Sequence, residues 1–128
     1  MLQTQEIMPV PTEIWRAVRK KLGITGVGKG KCLDWSIIAM EELQKARHNG
    51  FYGRIAGYKP FTPVKHAWLE RTESQGLFIA DGTAGQFDSK YRQGFYGYTE
   101  DLSAKLRKVY DDRAWFTIDT LNQWPRNS

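Results

Sequence analysis

The chain holds a single cysteine among 128 residues, which excludes an intramolecular disulfide framework and fits a reducing, cytosol-like compartment. Histidine is almost as scarce. Two imidazoles and one thiol without ligand spacing make a poor zinc set, so neither a metal nor a cofactor is expected. No apolar run approaches the roughly 20 residues that cross a bilayer. The opening Met1 to Ile7 lacks both a basic n-region and an apolar stretch, so no signal peptide and no membrane association are expected. Internal repeats and low-complexity segments are absent. Gly23-Ile24-Thr25-Gly26-Val27-Gly28-Lys29-Gly30 nearly matches the phosphate-cradling loop. It lacks the Ser or Thr that should follow the lysine to hold magnesium, and a helix rather than a strand precedes it, which argues against nucleotide binding.

What is present suits one globular domain over 1–128, with 41% hydrophobic residues and ends at 1–10 and 122–128 that are expected to fray. The net charge is +5. Its basic residues fall in short groups, Arg16 to Lys21, Lys29 with Lys31, and Lys105 to Lys108, interspersed with acidic ones. They read as solvated helix faces and helix C-terminal charges rather than as a polyanion site, so nucleic acid is not an expected partner. A non-catalytic basic domain that binds nucleic acid or an acidic protein is the competing reading.

Pro11-Thr12-Glu13 ahead of Ile14, Trp15, Val18 and Leu22 predicts an amphipathic helix with Thr12 as N-cap and Gly23 just past its end. From Cys32 to about Arg47, apolar residues cover more than half of a helical circumference, which predicts a buried central helix closed by His48-Asn49-Gly50. The period then changes. Phe51 to Tyr58, Val64 to Glu70 and Leu77 to Ala80 read as antiparallel strands separated by Pro60, Pro63 and the polar turn from Thr72 to Gly76. Gly82 to Phe87 reads as a loop, and Tyr91 to Tyr98 has no clear period. Thr99-Glu100-Asp101 predicts another capped helix through Leu102, Leu106 and Val109, and Ala114 to Ile118 a last strand.

Cys32 therefore stands at the start of the central helix, directly after a glycine-rich loop. There, unpaired backbone N–H groups and the helix dipole favour a thiolate and can hold an oxyanion. A cysteine on an apolar helix is by itself an ordinary small core residue. His66 alone would be a structural histidine, and Asp81 a turn residue before Gly82. Together, in this order, they supply a sulfur nucleophile, an imidazole to move its proton and a carboxylate to fix the imidazole's tautomer. If the strands of His66 and Asp81 are neighbours, the two side chains share a face, expected to be the one the Cys32 helix covers, with His66 in a surface cleft. The aromatic residues Tyr52, Tyr58, Trp68, Phe87, Tyr91, Phe95, Tyr96 and Tyr98 suit either a peptide groove or half-buried strand faces.

Cys32, His66-Ala67-Trp68 and Asp81-Gly82-Thr83 together resemble the papain-like superfamily, in particular its transglutaminase-like branch, over roughly Gly28 to Phe87. The resemblance implies an α+β fold with a papain-like/transglutaminase-like core, its central helix, with the cysteine at the N-terminus, packed on a small antiparallel sheet. It implies Cys32 as nucleophile, His66 as general base and acid, and Asp81 as the orienting carboxylate. It further implies attack on a glutamine carboxamide or a peptide bond through a thioester, as in deamidases, transglutaminases and peptidases, in small domains that include bacterial toxins and effectors. The expected partners are a protein or peptide substrate and an immunity or inhibitor protein, with the chain cytoplasmic or delivered into a target cytosol. The glutamine that often precedes the cysteine in such enzymes is missing, which leaves Thr25, a loop N–H or Trp35 as alternatives for the second oxyanion donor.

Overall fold

A computed structural model describes residues 8–57, 66–110 and 116–118. Helix α1 spans Thr12–Lys21, and its N-cap is Pro11, with extended backbone, rather than the expected Thr12. The proline ring already holds φ near the required value, and its carbonyl accepts from the Ile14 N–H, so Thr12 becomes the first helical residue and its hydroxyl caps nothing. Gly23 follows the helix in the left-handed conformation, as expected. Helix α2 spans Cys32–Lys45. Arg47 (φ 62°) already turns left-handed ahead of the expected His48-Asn49-Gly50, of which Gly50 takes positive φ, and the His48 N–H reaches back 2.8 Å to the Leu43 carbonyl.

Five strands follow, β1 (Tyr52–Gly57), β2 (His66–Glu73), β3 (Gly76–Asp81), β4 (Phe95–Tyr98) and β5 (Phe116–Ile118), in the sheet order β4-β3-β2-β1-β5. Every neighbouring pair is antiparallel. Pairing of Glu73 with Gly76 narrows the expected polar turn to Ser74 and Gln75. The aperiodic stretch after Asp81 resolves into 3-10 turns at Ala84–Gln86 and Ser89–Tyr91, then β4. The helix expected from Thr99 is also divided. Thr99–Asp101 makes only a 3-10 turn, Leu102 is extended, and helix α3 (Ala104–Val109) starts afresh with the Ser103 hydroxyl accepting from the Leu106 N–H at 3.2 Å. Tyr58, Pro60, Pro63, Val64, Lys65, Ala114, Trp115 and the ends expected to fray at 1–7 and 122–128 lie outside the described residues.

The sheet separates two apolar clusters, and the strand alternation decides which side chain enters which. Ala67, Leu69 and Ala80 point to the side of α1 and α2, where they meet Trp15, Trp35 and Leu43. Trp68 and Ile79 point the other way, towards Phe95, Leu102 and Leu106 of the α3 side. The architecture is α+β, helices on both faces of an antiparallel sheet. One expectation is overturned by this parity. His66 and Asp81 fall in step with Trp68 and Ile79, on the face turned away from α2, and Tyr110 of the α3 side packs against both.

Candidate active site

The approach to Cys32 is built from glycine. Gly28 and Gly30 both take positive φ, and the Lys31 N–H closes a turn on the Gly28 carbonyl at 2.9 Å. At Gly28 the lack of a side chain is also steric, because a Cβ there would stand 2.8 Å from Cγ2 of Thr83. The loop is thus pressed against the residue two beyond Asp81. Helix α2 begins at Cys32, with the Trp35 N–H on the Lys31 carbonyl (2.8 Å) and the Ser36 hydroxyl donating to the Cys32 carbonyl (2.9 Å). No side chain caps this end. The N–H groups of its first turn therefore remain to face a developing oxyanion, and the thiol itself is half-buried.

His66 opens β2 and Asp81 ends β3, both fully buried. His66 Nε2 lies 2.5 Å from Asp81 Oδ2, the same oxygen that accepts the Tyr110 hydroxyl at 2.6 Å. The other oxygen, Oδ1, accepts from the Thr83 N–H at 3.0 Å and the Thr83 hydroxyl at 3.2 Å. Four donors hold the carboxylate. Aromatic rings hold the imidazole, with Phe87 edge-on at 4.6 Å and Trp68 nearly parallel at 5.5 Å. A histidine packed this way is not the surface-cleft group expected from the sequence.

Burial alone would pull the His66 pKa down, but the charge and hydrogen bond of Asp81, and behind them Cys32, push it up to about 9. At neutral pH the ring is then an imidazolium. Nδ1 is buried without a hydrogen-bond partner among the described residues. Cys32 is among the groups that raise the ring, and with Nε2 committed to Asp81, Nδ1 is the nitrogen left to face it. Tyr110 is affected in turn. Buried beside Asp81, its phenol is raised well above its ordinary value and stays a donor.

Cys32 thus acts on the imidazole that Asp81 holds from the other side of the site, the thiol packed on one apolar cluster and the imidazole beside Trp68 and Phe87 of the other. Of the alternatives for a second oxyanion donor, Trp35 lies one turn along α2 from Cys32. Its Nε1 is buried without a hydrogen-bond partner among the described residues and pressed onto Gly82, where there is no room for a Cβ. Thr25 is exposed. Of the aromatic residues that suit either a peptide groove or strand faces, Trp68 and Phe95 are core residues and Tyr96 stacks on Trp15 at 4.8 Å. Sequence reasoning missed Tyr110, and also Arg19, whose guanidinium bonds the carbonyls of Gly82 (2.7 Å) and Gly26. Among the described residues no group of His, Cys, Asp and Glu side chains is placed to hold a metal ion, and no helix is long and apolar enough to cross a membrane. No protein-family model, curated protein or solved structure matches the chain.

Proposed function

We propose that the chain is a cysteine-dependent hydrolase or acyl transferase of papain-like, transglutaminase-like build, which attacks a glutamine carboxamide or a peptide bond. The observation that carries this reading is the buried His66–Asp81 pair at 2.5 Å, with the second imidazole nitrogen unpartnered among the described residues and a half-buried thiol at a helix start acting on the ring. Structural histidines satisfy both nitrogens where they can; this one keeps one in reserve.

The chemistry follows from those groups. Cys32 sulfur attacks the carbonyl carbon, its proton resting on His66, and the carbonyl oxygen takes the negative charge opposite the N–H groups of the α2 first turn. As the tetrahedral intermediate collapses, the C–N bond breaks and His66 hands its proton to the departing ammonia or amine, leaving a thioester on Cys32. A water molecule, giving its proton to His66, then releases the acid and regenerates the thiol; a primary amine in place of water would give a cross-link. Asp81 keeps Nε2–H on its own side throughout, so that Nδ1 faces sulfur. Deamidation is favoured slightly over proteolysis. A protein or peptide substrate, an immunity or inhibitor partner and a toxin or effector setting belong to the same proposal.

Mass spectrometry of candidate protein substrates tests it. The expected result is a one-dalton gain at glutamine, or new termini for a peptidase, with wild type and neither with Cys32→Ala. Iodoacetamide supplies a substrate-free check: Cys32 should be alkylated in the folded protein, and more slowly in His66→Gln. A thiol that stays unmodified in the folded wild type would remove the reading and leave the basic binding domain as the alternative.

A further inference from the structure

We infer that Arg19 is a positioning residue of the thiol site, a clamp that sets the approach to Cys32 against the strand end carrying Asp81. This rests on the reading of Cys32, His66 and Asp81 as that site. The side chain is only 6% exposed, and no carboxylate is paired with it among the described residues. Burying a guanidinium costs several kcal/mol unless its N–H groups are well used. Here they are spent on two backbone carbonyls far apart in the chain. One Nη donates to the Gly82 carbonyl at 2.7 Å and the other to the carbonyl of Gly26.

Those two carbonyls belong to the two halves of the site. Gly82 lies between Asp81 and Thr83, whose side chains bond each other, and Gly26 lies in the loop that enters Cys32 six residues later. The same loop meets the strand end again where Gly28 presses on Thr83, and α2 meets it where Trp35 covers Gly82. Arg19 is the polar member of this junction. A planar fork with fixed Nη spacing holds two acceptors at a set separation; an ammonium on a flexible stem does not. Displacement of about 1 Å at a reacting centre can cost about a hundredfold in rate, so an Arg19 variant should slow the thiol without removing any group that touches it.

The experiment compares wild type, Arg19→Lys, Arg19→Gln and His66→Gln by iodoacetamide alkylation of Cys32 from pH 5 to 10, with Tm measured for each and all rates taken well below the lowest Tm. The expected result is a ten- to hundredfold slower alkylation in the folded Arg19→Lys protein, with a changed pH profile. Methylguanidinium added to Arg19→Gln should recover part of the rate where sodium chloride at equal ionic strength does not. A folded Arg19→Lys protein with the wild-type rate and profile would overturn the clamp while leaving a His66-dependent thiol intact. A wild-type rate indifferent to His66→Gln would overturn the thiol site itself, and the clamp with it. Should both Arg19 variants fail to fold, nitrogen NMR of the wild type decides: two resolved, slowly exchanging Nη groups are expected, and one averaged guanidinium signal refutes the clamp.

Discussion

Asp81 Oδ2 accepts two donors at once, His66 Nε2 and, from the residue that closes α3, the Tyr110 hydroxyl. Its effect is to anchor the oxygen to which the imidazole is tied. Hydrogen bonds to charged groups contribute roughly 1.5–3 kcal/mol, so Tyr110→Phe should lower Tm by several degrees and slow Cys32 alkylation about tenfold. An unchanged rate in that variant would show that Thr83 alone fixes the carboxylate. Asp81→Asn should be far worse, a loss of two to four orders of magnitude in thiol-dependent turnover, because the amide can present a donor to Nε2 and reverse the tautomer. Near-normal turnover would assign the orienting role to another group. The three residues proposed as a triad stand out in the sequence because each is rare or stands in a short motif: one cysteine, a histidine beside Ala67-Trp68, an aspartate before Gly82-Thr83. Tyr110 does not, since its bond spans 29 residues and nothing local marks it. Arg19 was misread for a different reason. Beside Lys20 and Lys21 it looked like one more solvated cation, whereas its position three residues before Leu22 turns it onto the buried side with Trp15 and Val18.

Among the elements, the glycine loop before α2 joins the local conformation of the chain to the geometry of the site. Gly28→Ala introduces a Cβ at positive φ and within 2.8 Å of Thr83 Cγ2, two separate costs. A destabilisation of about 1–3 kcal/mol is expected from strained backbone and overpacking of this kind. Thr83→Ser removes the opposing methyl and keeps the hydroxyl that bonds Asp81, so the double variant should regain part of that loss. Urea unfolding of the four proteins measures the coupling, and strict additivity would mean that the contact carries no energy. Strands β2 and β3 were readable from their composition and the turn between them, and α2 from its apolar circumference. The region after Thr99 was not. Two capping signals, Thr99 and Ser103, stand four residues apart, and only burial of the extended Leu102 between them decides that the second one starts the helix. The face occupied by His66 and Asp81 was likewise undetermined by pattern, because Val64 to Glu70 sets the unbroken apolar run Ala67-Trp68-Leu69 between Lys65-His66 and Glu70 and shows no clean alternation.

For the whole molecule, the protonation of His66 links stability to pH. Its folded pKa of about 9 stands above the ordinary 6.5, so the native state keeps a proton that the unfolded chain releases. The stabilisation is complete below about pH 6.5 and declines as pH rises towards 9, by about 1.4 kcal/mol per pH unit and about 3 kcal/mol in all. Denaturant unfolding of wild type and His66→Gln between pH 6 and 9.5 should show the difference between them shrinking across that window. A constant difference would contradict the imidazolium. Above pH 10 the loss continues by another route, because Tyr110 must stay un-ionised in the fold while the unfolded phenol ionises.

The partition of the site between two cores has a consequence of another kind. Cys32 packs with the α1–α2 cluster, His66 and Asp81 share a face with the α3 cluster, and the sheet lies between the two. Neither half holds all the parts of a reaction. A chain with one core formed and the other open carries an ordinary thiol on one side or an idle imidazole on the other. On the proposed reading the arrangement is a coincidence detector, since thiol and imidazole meet only when both halves have closed on the same sheet.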